Sequence, residues 1–192
     1  FIVLSGYKSK AFNKEFKKKY YKEWNIKVLN TGLNTETGSR VLRAKKFIEE
    51  NRQSKNYFYL TYGDGLSNCN LKSALKLFKQ KKKIGLVTTV RPPSRFGLVK
   101  SDTNNYVTSF KEKFKKDKGW INAGFFIFDN KILNYIENRR DTVLEKKPLE
   151  KLVKMKNLVA YKHKGFWQCC DNKKDYDVLC EYFSKKNMSY IK

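Results

Sequence analysis

Residues 57–68 read "YFYLTYGDGLSN", an aromatic and apolar run that stops at Asp64, a lone carboxylate between Gly63 and Gly65. The near-continuous apolar run over 56–62 predicts a strand that is buried on both faces. A carboxylate directly after it is either part of an Asx-type turn or a ligand-binding residue, because open α/β sheets bind ligands beyond the carboxyl ends of their strands. The stretch therefore predicts a buried strand with a candidate site at its end.

The segments around this strand alternate between strand and helix patterns. Apolar stretches favour strands and 3.6-residue periodicity favours helices. The predicted strands of the first half are 1–4, 25–30, 56–62 and 84–90, and the predicted helices are 10–23, 40–51 and one that begins near Leu71, capped by Asn68 or Asn70. This alternation predicts βαβ units and a mainly parallel, doubly wound sheet.

The second half departs from that alternation. Its predicted strands are 95–102, 105–113, 120–129 and 158–167, and its predicted helices are 131–138, 148–156 and 173–186. We therefore expect one α/β domain over residues 1–192, with a Rossmann-like, doubly wound sheet that becomes mixed in its second half.

The composition bounds the function classes. With 40% hydrophobic residues over 192 positions, the chain can bury a core, which argues against disorder. No stretch is long enough to span a membrane, and the opening "FIVLSGYK" has no signal-peptide pattern, so we expect a cytoplasmic protein without membrane partners.

The formal net charge is +25, with lysines spread along the chain, which indicates a solvated surface or a surface for an anionic partner such as a phosphorylated substrate.

The four cysteines, Cys69, Cys169, Cys170 and Cys180, form no CxxC pair. The single histidine, His163, is interpreted as a surface or strand residue and not as a base. This pattern lacks zinc-site spacing and predicts reduced thiols.

A second carboxylate, Asp171, follows the apolar "GFWQCC" and precedes the last predicted helix. Two strand-end aspartates from distant segments, Asp64 and Asp171, are a donor set suited to Mg²⁺ beside phosphate oxygens. The alternative for Asp171 is an N-cap of the last helix.

Six motifs occur in order: "NTGLNTETGSR" (30–40), "LTYGDGLSN" (60–68), "RPPSRFGLVK" (91–100), "SFKEKFK" (109–115), "WINAGFFIFD" (120–129) and "HKGFWQCCD" (163–171). In this combination the chain resembles the glucose-1-phosphate cytidylyltransferases of the sugar-nucleotidyltransferase group over nearly its whole length. The resemblance implies a glycosyltransferase-A-like fold and transfer of a cytidylyl group from CTP to α-D-glucose 1-phosphate, giving CDP-glucose for surface polysaccharide synthesis.

The resemblance also implies site residues, each matched to a motif of this chain. Asp64 and Asp171 would bind Mg²⁺; Thr35, Arg40 and Gly63 would contact the nucleotide; Glu112, Lys113 and Asn122 would form the sugar-phosphate site, with Lys113 also offsetting phosphate charge. Two alternatives stay open: Arg40 as a solvated residue in the first turn of a helix, and Asn122 as a partner of nearby backbone groups. Phe166 and Trp167 are expected to pack in the core.

The family's first strand and its GGxGTR-type glycine-rich loop have no counterpart in residues 1–192. The chain also opens on Phe1, not Met, so we expect it to lie within a longer polypeptide, with an N-terminally incomplete nucleotidyltransferase domain and doubtful activity of its own. Other readings stay open: a truncated, non-catalytic sugar-phosphate-binding or protein-binding relative, a nucleotidyltransferase for another nucleotide or hexose 1-phosphate, and a possible homo-oligomer. A basic nucleic-acid-binding protein is disfavoured, because no nucleic-acid-reading motif is present.

Overall fold

The computed structural model describes residues 1–50, 56–91, 98–101, 107–111 and 119–185. The chain divides into two compact units. The first unit comprises residues 1–59, 81–85 and 127–159, and the second comprises 60–80, 86–126 and 160–192. The single domain expected over 1–192 stays a prediction.

The described residues form ten strands and six α-helices. The strands are β1 (Ile2–Ser5), β2 (Lys27–Asn30), β3 (Tyr57–Thr61), β4 (Gly65–Ser67), β5 (Gly85–Val90), β6 (Leu98–Ser101), β7 (Val107–Lys111), β8 (Ile121–Asp129), β9 (Leu158–Lys162) and β10 (Trp167–Cys169). The helices are α1 (Ser9–Glu15), α2 (Thr37–Arg43), α3 (Lys45–Glu50), α4 (Leu71–Lys81), α5 (Lys147–Lys154) and α6 (Lys173–Lys185), and 3₁₀ helices cover Lys19–Trp24 and Asn130–Tyr135.

The first unit opens with the expected strand–helix–strand segment, and β1 pairs with β2 in parallel, from Ile2 opposite Lys27 to Ser5 opposite Asn30. The helix predicted over 10–23 is shorter than expected, because α1 ends at Glu15 and a 3₁₀ helix follows. The rings of Phe16 and Tyr21 meet edge to face at 5.2 Å. Residues five apart do not share a face of an α-helix, so a continuous α-helix through Phe16 and Tyr21 would not allow this ring contact.

The helix predicted over 40–51 begins earlier, at Thr37, and is divided at Ala44 into α2 and α3. The N–H of Ala44 donates to the carbonyl oxygens of both Arg40 and Val41, the tightened geometry of a helix end. Val41 and Ala44 are buried, which fixes the inner face of this helix pair.

Four strands form a sheet in the order β3-β8-β5-β9. The Asn130 N–H donates to Asn56 and the Tyr62 N–H donates to Gly124, so β3 and β8 run antiparallel. The Gly85 N–H donates to Asn157 and the His163 N–H donates to Thr89, so β5 and β9 run parallel. The expected α/β fold with a mixed sheet is confirmed.

The expectation that β3 is buried on both faces was wrong. β3 stands at one end of the strand order, its residues are half-buried or exposed, and Tyr59 keeps 47% of its surface in solvent. In contrast, β5 has neighbours on both sides, and Leu86 and Val90 are buried. Tyrosines allow an apolar-looking run at such a position, because a ring can pack while its hydroxyl reaches water.

The second unit contains two antiparallel strand pairs, β6 with β7 and β4 with β10. The sequence did not predict a strand at β4, and the single strand predicted over 158–167 is divided into β9, which ends at Lys162, and β10, which begins at Trp167. Helix α4 is capped by Asn70, whose side-chain oxygen accepts the Ser73 N–H at 2.9 Å. No helix among the described residues has the length and apolar character needed to cross a bilayer.

Candidate functional site

The second unit holds the Asp64 turn, which connects β3 to β4. Strand β4 pairs with β10 in antiparallel register, with Gly65 opposite Cys169. One step beyond this pair, the Cys170 N–H donates to the backbone carbonyl of Asp64 at 2.9 Å. The backbone of Asp64 is thus hydrogen-bonded to the residue that precedes Asp171, so the two candidate metal ligands belong to neighbouring chain segments.

Asp171 is exposed and accepts a hydrogen bond from the Cys169 thiol, Sγ to Oδ2, at 3.3 Å. It is not the N-cap of α6. That position belongs to Asn172, whose side-chain oxygen accepts the Asp175 N–H at 3.0 Å. The carboxylate of Asp171 is therefore not used to cap the helix.

The glycines beside Asp64 differ in their surroundings. A Cβ at Gly63 would meet nothing within 4 Å among the described residues, so this position faces open space. A Cβ at Gly65 would make ordinary contacts, the nearest with the Ala123 carbonyl oxygen at 3.5 Å. The absence of a side chain at Gly63 leaves room for a group outside the protein to approach the backbone.

The site residues suit Mg²⁺ in their chemistry. Asp64 and Asp171 are both exposed, and within the described part of the chain no lysine or arginine pairs with either carboxylate. Carboxylate oxygens with room for further oxygen ligands are what Mg²⁺ requires, whereas the neighbouring Cys169 sulfur is a soft ligand that this ion does not favour. The donor set therefore fits a hard divalent cation.

The predicted sugar-phosphate residues are described in part. Glu112 and Lys113 lie outside the described residues. Asn122 lies in β8 and is exposed, and its side-chain oxygen accepts the Gly124 N–H at 2.9 Å. The backbone-satisfying role that the sequence left open for Asn122 is thus present, while its exposed amide keeps donors for a ligand.

The aromatic residues of the "GFWQ" motif, expected in the core, are half-buried and contact other residues of the second unit. The indole N–H of Trp167 donates to the Ala123 carbonyl at 2.9 Å. Phe166 stacks on Tyr182 with a centroid separation of 4.0 Å. His163 is buried, not on the surface, and its Nε2 lies 3.1 Å from the Phe166 carbonyl oxygen, which ties the ring to the chain.

The first unit carries the Thr- and Gly-rich loop between β2 and α2. Arg40 is half-buried and hydrogen-bonded to the loop, so it is not simply a solvated surface residue. Its Nη1 donates to Thr31 Oγ1 at 2.6 Å and to the Gly32 carbonyl at 3.1 Å, and its Nη2 donates to the Leu33 carbonyl at 3.4 Å. The guanidinium also lies against Gly6, where a Cβ would fall 2.7 Å from Nη1. Arg40 therefore fixes the shape of this loop.

Arg43 is a second loop residue, which the sequence interpretation missed. It donates to the Thr31 carbonyl and, at 3.1 Å, to Thr35 Oγ1. Arg40 and Arg43 are three residues apart and share one face of α2, and this spacing was the signal that could have identified the pair. Thr35 itself is buried, with its hydroxyl held by Arg43.

The loop borders a cleft of about 560 Å³. Its lining residues are Leu33, Asn34, Thr35, Glu36, Thr37, Arg40, Arg140 and Asp141. Arg139 forms a two-pronged bond with Asp141, with both N–O distances 3.0 Å, and this hydrogen bonding lowers the pKa of the Asp141 carboxyl. The cleft thus joins two of the predicted nucleotide residues to polar groups from the segment before α5.

That segment is fastened to the start of α2. The Thr37 hydroxyl donates to Glu145 Oε2 at 2.9 Å and accepts the Leu144 N–H at 2.9 Å. The Ser39 N–H donates to the Thr142 carbonyl at 3.1 Å. A Cβ at Gly38 would lie 2.8 Å from the same Thr142 oxygen, so this close approach requires glycine. The "TETGSR" part of the motif therefore serves loop anchoring as well as any ligand.

No disulfide joins the four cysteines in the structure, and their reduced state stays a prediction. Burial raises the pKa of Cys69, against a smaller lowering by its hydrogen bond with Thr88. Cys69 is a half-buried packing residue with no catalytic partner on the described elements.

Solved structures share this fold. HddC from Yersinia pseudotuberculosis, complexed with GMP-PN, aligns with a TM-score of 0.69 at 20% identity, covering 95% of this chain and 77% of that one. UDP-glucose pyrophosphorylase complexed with UDP-glucose aligns with a TM-score of 0.65 at 15% identity, covering 96% and 81%. The fold is therefore that of the sugar nucleotidyltransferases.

Residues 1–176 match the family model described as nucleotidyl transferase, and the chain belongs to this family. It is 34% identical over 152 residues to a glucose-1-phosphate cytidylyltransferase of Salmonella typhi, covering 79% of this chain and 57% of that protein. It is 32% identical over 195 residues to a probable glucose-1-phosphate cytidylyltransferase of Bacillus subtilis, covering 91% and 74%. The chain thus spans little more than half the length of the Salmonella relative.

Proposed function

We propose that this protein is a Mg²⁺-dependent nucleotidyltransferase that forms CDP-glucose and pyrophosphate from CTP and α-D-glucose 1-phosphate. The observation that carries the proposal is the Asp64–Cys170 backbone bond of 2.9 Å, which keeps the exposed carboxylates Asp64 and Asp171 on adjoining segments. The relatives at 34% and 32% identity support the choice of CTP and glucose 1-phosphate.

The reaction is an in-line displacement at the α-phosphorus of the nucleotide. A phosphate oxygen of the sugar phosphate attacks, a new P–O bond forms, and the bond to the pyrophosphate leaving group breaks. Such a transfer needs little covalent participation from a protein, because positioning and charge neutralisation supply most of the rate enhancement.

We assign the metal to Asp64 and Asp171. When bound, Mg²⁺ would neutralise phosphate charge and orient the phosphates of the two substrates. The chain's own contribution is to hold the two carboxylates through the β4–β10 pair and to leave open space at Gly63, where a phosphate can approach the backbone.

We assign nucleotide contacts to Thr35 and Gly63, a role beside the nucleotide to Arg40, and sugar-phosphate contacts to Glu112, Lys113 and Asn122. Lys113 serves as a point charge on phosphate. For Arg40 the structure supports an indirect contribution, because its guanidinium already donates to three groups of the loop that borders the cleft. Asn122 offers an exposed amide whose N–H donors suit sugar hydroxyls.

A second candidate keeps the chemistry and changes the substrates. Another relative, a probable mannose-1-phosphate guanylyltransferase of Arabidopsis thaliana, is 31% identical over 169 residues. Its name gives a different nucleotide and a different sugar phosphate for a similar sequence. A non-catalytic sugar-phosphate-binding or protein-binding relative is the remaining alternative.

The test is pyrophosphate release by the protein at its natural length, with CTP, dTTP, UTP, GTP and ATP each paired with glucose 1-phosphate and mannose 1-phosphate. We expect release with CTP and glucose 1-phosphate to exceed every other pair. Preference for another pair would support the second candidate. Binding of CTP and glucose 1-phosphate without pyrophosphate release from any pair would support the non-catalytic relative.

A further inference from the structure

We propose that Asp175 is a positioning residue for Asp171, holding the metal-binding carboxylate in place from the first turn of α6. This inference rests on the proposed function, because it assumes that Asp171 binds a divalent cation. It assigns a role to a residue that the sequence analysis did not single out.

The contacts of Asp175 surround the segment that carries Asp171. One carboxylate oxygen of Asp175 accepts the Asp171 backbone N–H at 3.2 Å, and the other accepts the side-chain amide of Gln168 at 3.3 Å. Asp175 is 6% exposed, whereas Asp171 is exposed. A buried carboxylate thus bonds the backbone of Asp171 and the side chain of Gln168, the residues on either side of Cys169 and Cys170.

The helix start adds a reciprocal bond. The Asp175 N–H donates to the Asn172 side chain at 3.0 Å while the Asp175 carboxylate reaches back to the Asp171 N–H. This is a variant of the capping box, in which the acidic residue bonds the position before the N-cap. The positive end of the helix dipole favours a carboxylate at this position.

The Asp171 side chain receives a separate contact, since the Cys169 thiol donates to its Oδ2 at 3.3 Å. Asp171 is therefore restrained at its backbone by Asp175 and at its carboxylate by Cys169. Groups that orient a metal ligand in this way usually cost about 10-fold to 100-fold in metal affinity when removed.

The test measures Mn²⁺ binding to the full chain, as a Mg²⁺ substitute, from the electron paramagnetic resonance signal of the free ion. Asp175→Asn keeps the shape and removes the charge. We expect it to raise the Mn²⁺ Kd by about 10-fold. Asp177→Asn is the matched control, because Asp177 lies on the same helix, is exposed and pairs with Lys173 at 2.9 Å.

The variant Asn172→Ala distinguishes a positioning role of Asp175 from a purely structural one. This variant removes the N-cap of α6 and lowers its stability but leaves the Asp175–Asp171 bond available. We expect Asn172→Ala to lower the melting temperature while changing the Mn²⁺ Kd less than twofold. If Asp175→Asn lowers the melting temperature and leaves the Mn²⁺ Kd unchanged, the positioning role is overturned.

The same titration with Asp171→Asn separates this inference from the proposed function. Weaker binding in both Asp171→Asn and Asp175→Asn supports both. Weaker binding in Asp171→Asn alone overturns the role of Asp175 and leaves the metal site intact. Mn²⁺ binding that does not depend on Asp171 overturns both.

Discussion

The carbonyl oxygen of Asp64 accepts the N–H of Cys170 at 2.9 Å, so a turn that follows β3 and a segment more than one hundred residues later share one hydrogen bond. This bond extends the β4–β10 pair by one step, to the residue immediately before Asp171. Asp64 occupies the point where the two segments with exposed aspartates meet.

Replacing Asp64 by Asn should abolish catalysis without unfolding the protein. The side chain is exposed, so we expect a shift in melting temperature within about 2 °C. Loss of a metal ligand should lower kcat for pyrophosphate release by at least about 100-fold, the upper range seen when a ligand's supporting group is lost. Near-normal turnover in this variant, with Asp177→Asn as the control, would remove Asp64 from the metal site.

Replacing Arg40 by Ala should affect both the loop and the nucleotide. The variant leaves the Thr31 hydroxyl and the Gly32 carbonyl without their donor, which we expect to cost about 1–2 kcal/mol of unfolding free energy. If the loop contacts the nucleotide, the KM for CTP should rise while the KM for glucose 1-phosphate stays near its wild-type value. Equal increases in both KM values would indicate a general loss of structure.

Two glycines should respond differently to alanine. At Gly6 a Cβ would lie 2.6 Å from the Gly32 carbonyl oxygen, a backbone atom that cannot move freely, so Gly6→Ala should lower stability by about 1–3 kcal/mol. At Gly63 the space is open, so Gly63→Ala should keep its stability in chemical denaturation. A drop in kcat for Gly63→Ala at unchanged stability would then report a group that approaches this backbone from outside the protein.

Cys69 gives a pH-dependent check on packing. Because burial raises its pKa, the thiolate fraction at a given pH is lower than for an ordinary thiol, and iodoacetamide should modify Cys69 slowly until the pH exceeds the usual cysteine value. The raised pKa also affects stability. The folded state holds the thiol proton of Cys69 more tightly than the unfolded state does, so the contribution of Cys69 to the free energy of unfolding falls as the pH rises above the unfolded-state pKa. Peptide mass spectrometry across pH 7–10 measures the rate, and a Cys69 rate equal to that of the exposed Cys180 would contradict the described burial.

Most of the element order could be predicted from the sequence, because hydrophobic periodicity reports burial directly. The strand at β5 and the helices α4 and α6 follow such patterns. The exposure of β3 could not be predicted, since its tyrosines suit both a central and a terminal strand. The break between α2 and α3 at Ala44 was not predicted either, because nothing in the local sequence pattern marks where tertiary packing interrupts a helix.

The assignment of Asp64 and Asp171 as metal ligands stays a prediction, and the residues that hold their segments were not predicted from the sequence. Asp64 stood out as a charge between glycines at the end of a strand. Arg43 and Asp175 did not, although Arg43 stands three residues after Arg40. Their partners are local in sequence: Thr35 lies eight residues before Arg43, and the Asp171 N–H lies four residues before Asp175. Whether such groups meet depends on the conformation of a loop and of a helix start, which a single sequence does not give.

We propose above that Asp64 and Asp171 bind the divalent cation used in nucleotidyl transfer. The most direct test of this assignment is how pyrophosphate release depends on that ion. The natural-length protein, with CTP and glucose 1-phosphate, should release pyrophosphate with Mg²⁺, lose the activity with EDTA and regain it when Mg²⁺ is restored. The Asp171→Asn variant should stay inactive at every Mg²⁺ concentration or need far more of the ion. Release that persists in EDTA, or an Asp171→Asn variant with the wild-type Mg²⁺ dependence, would contradict the account.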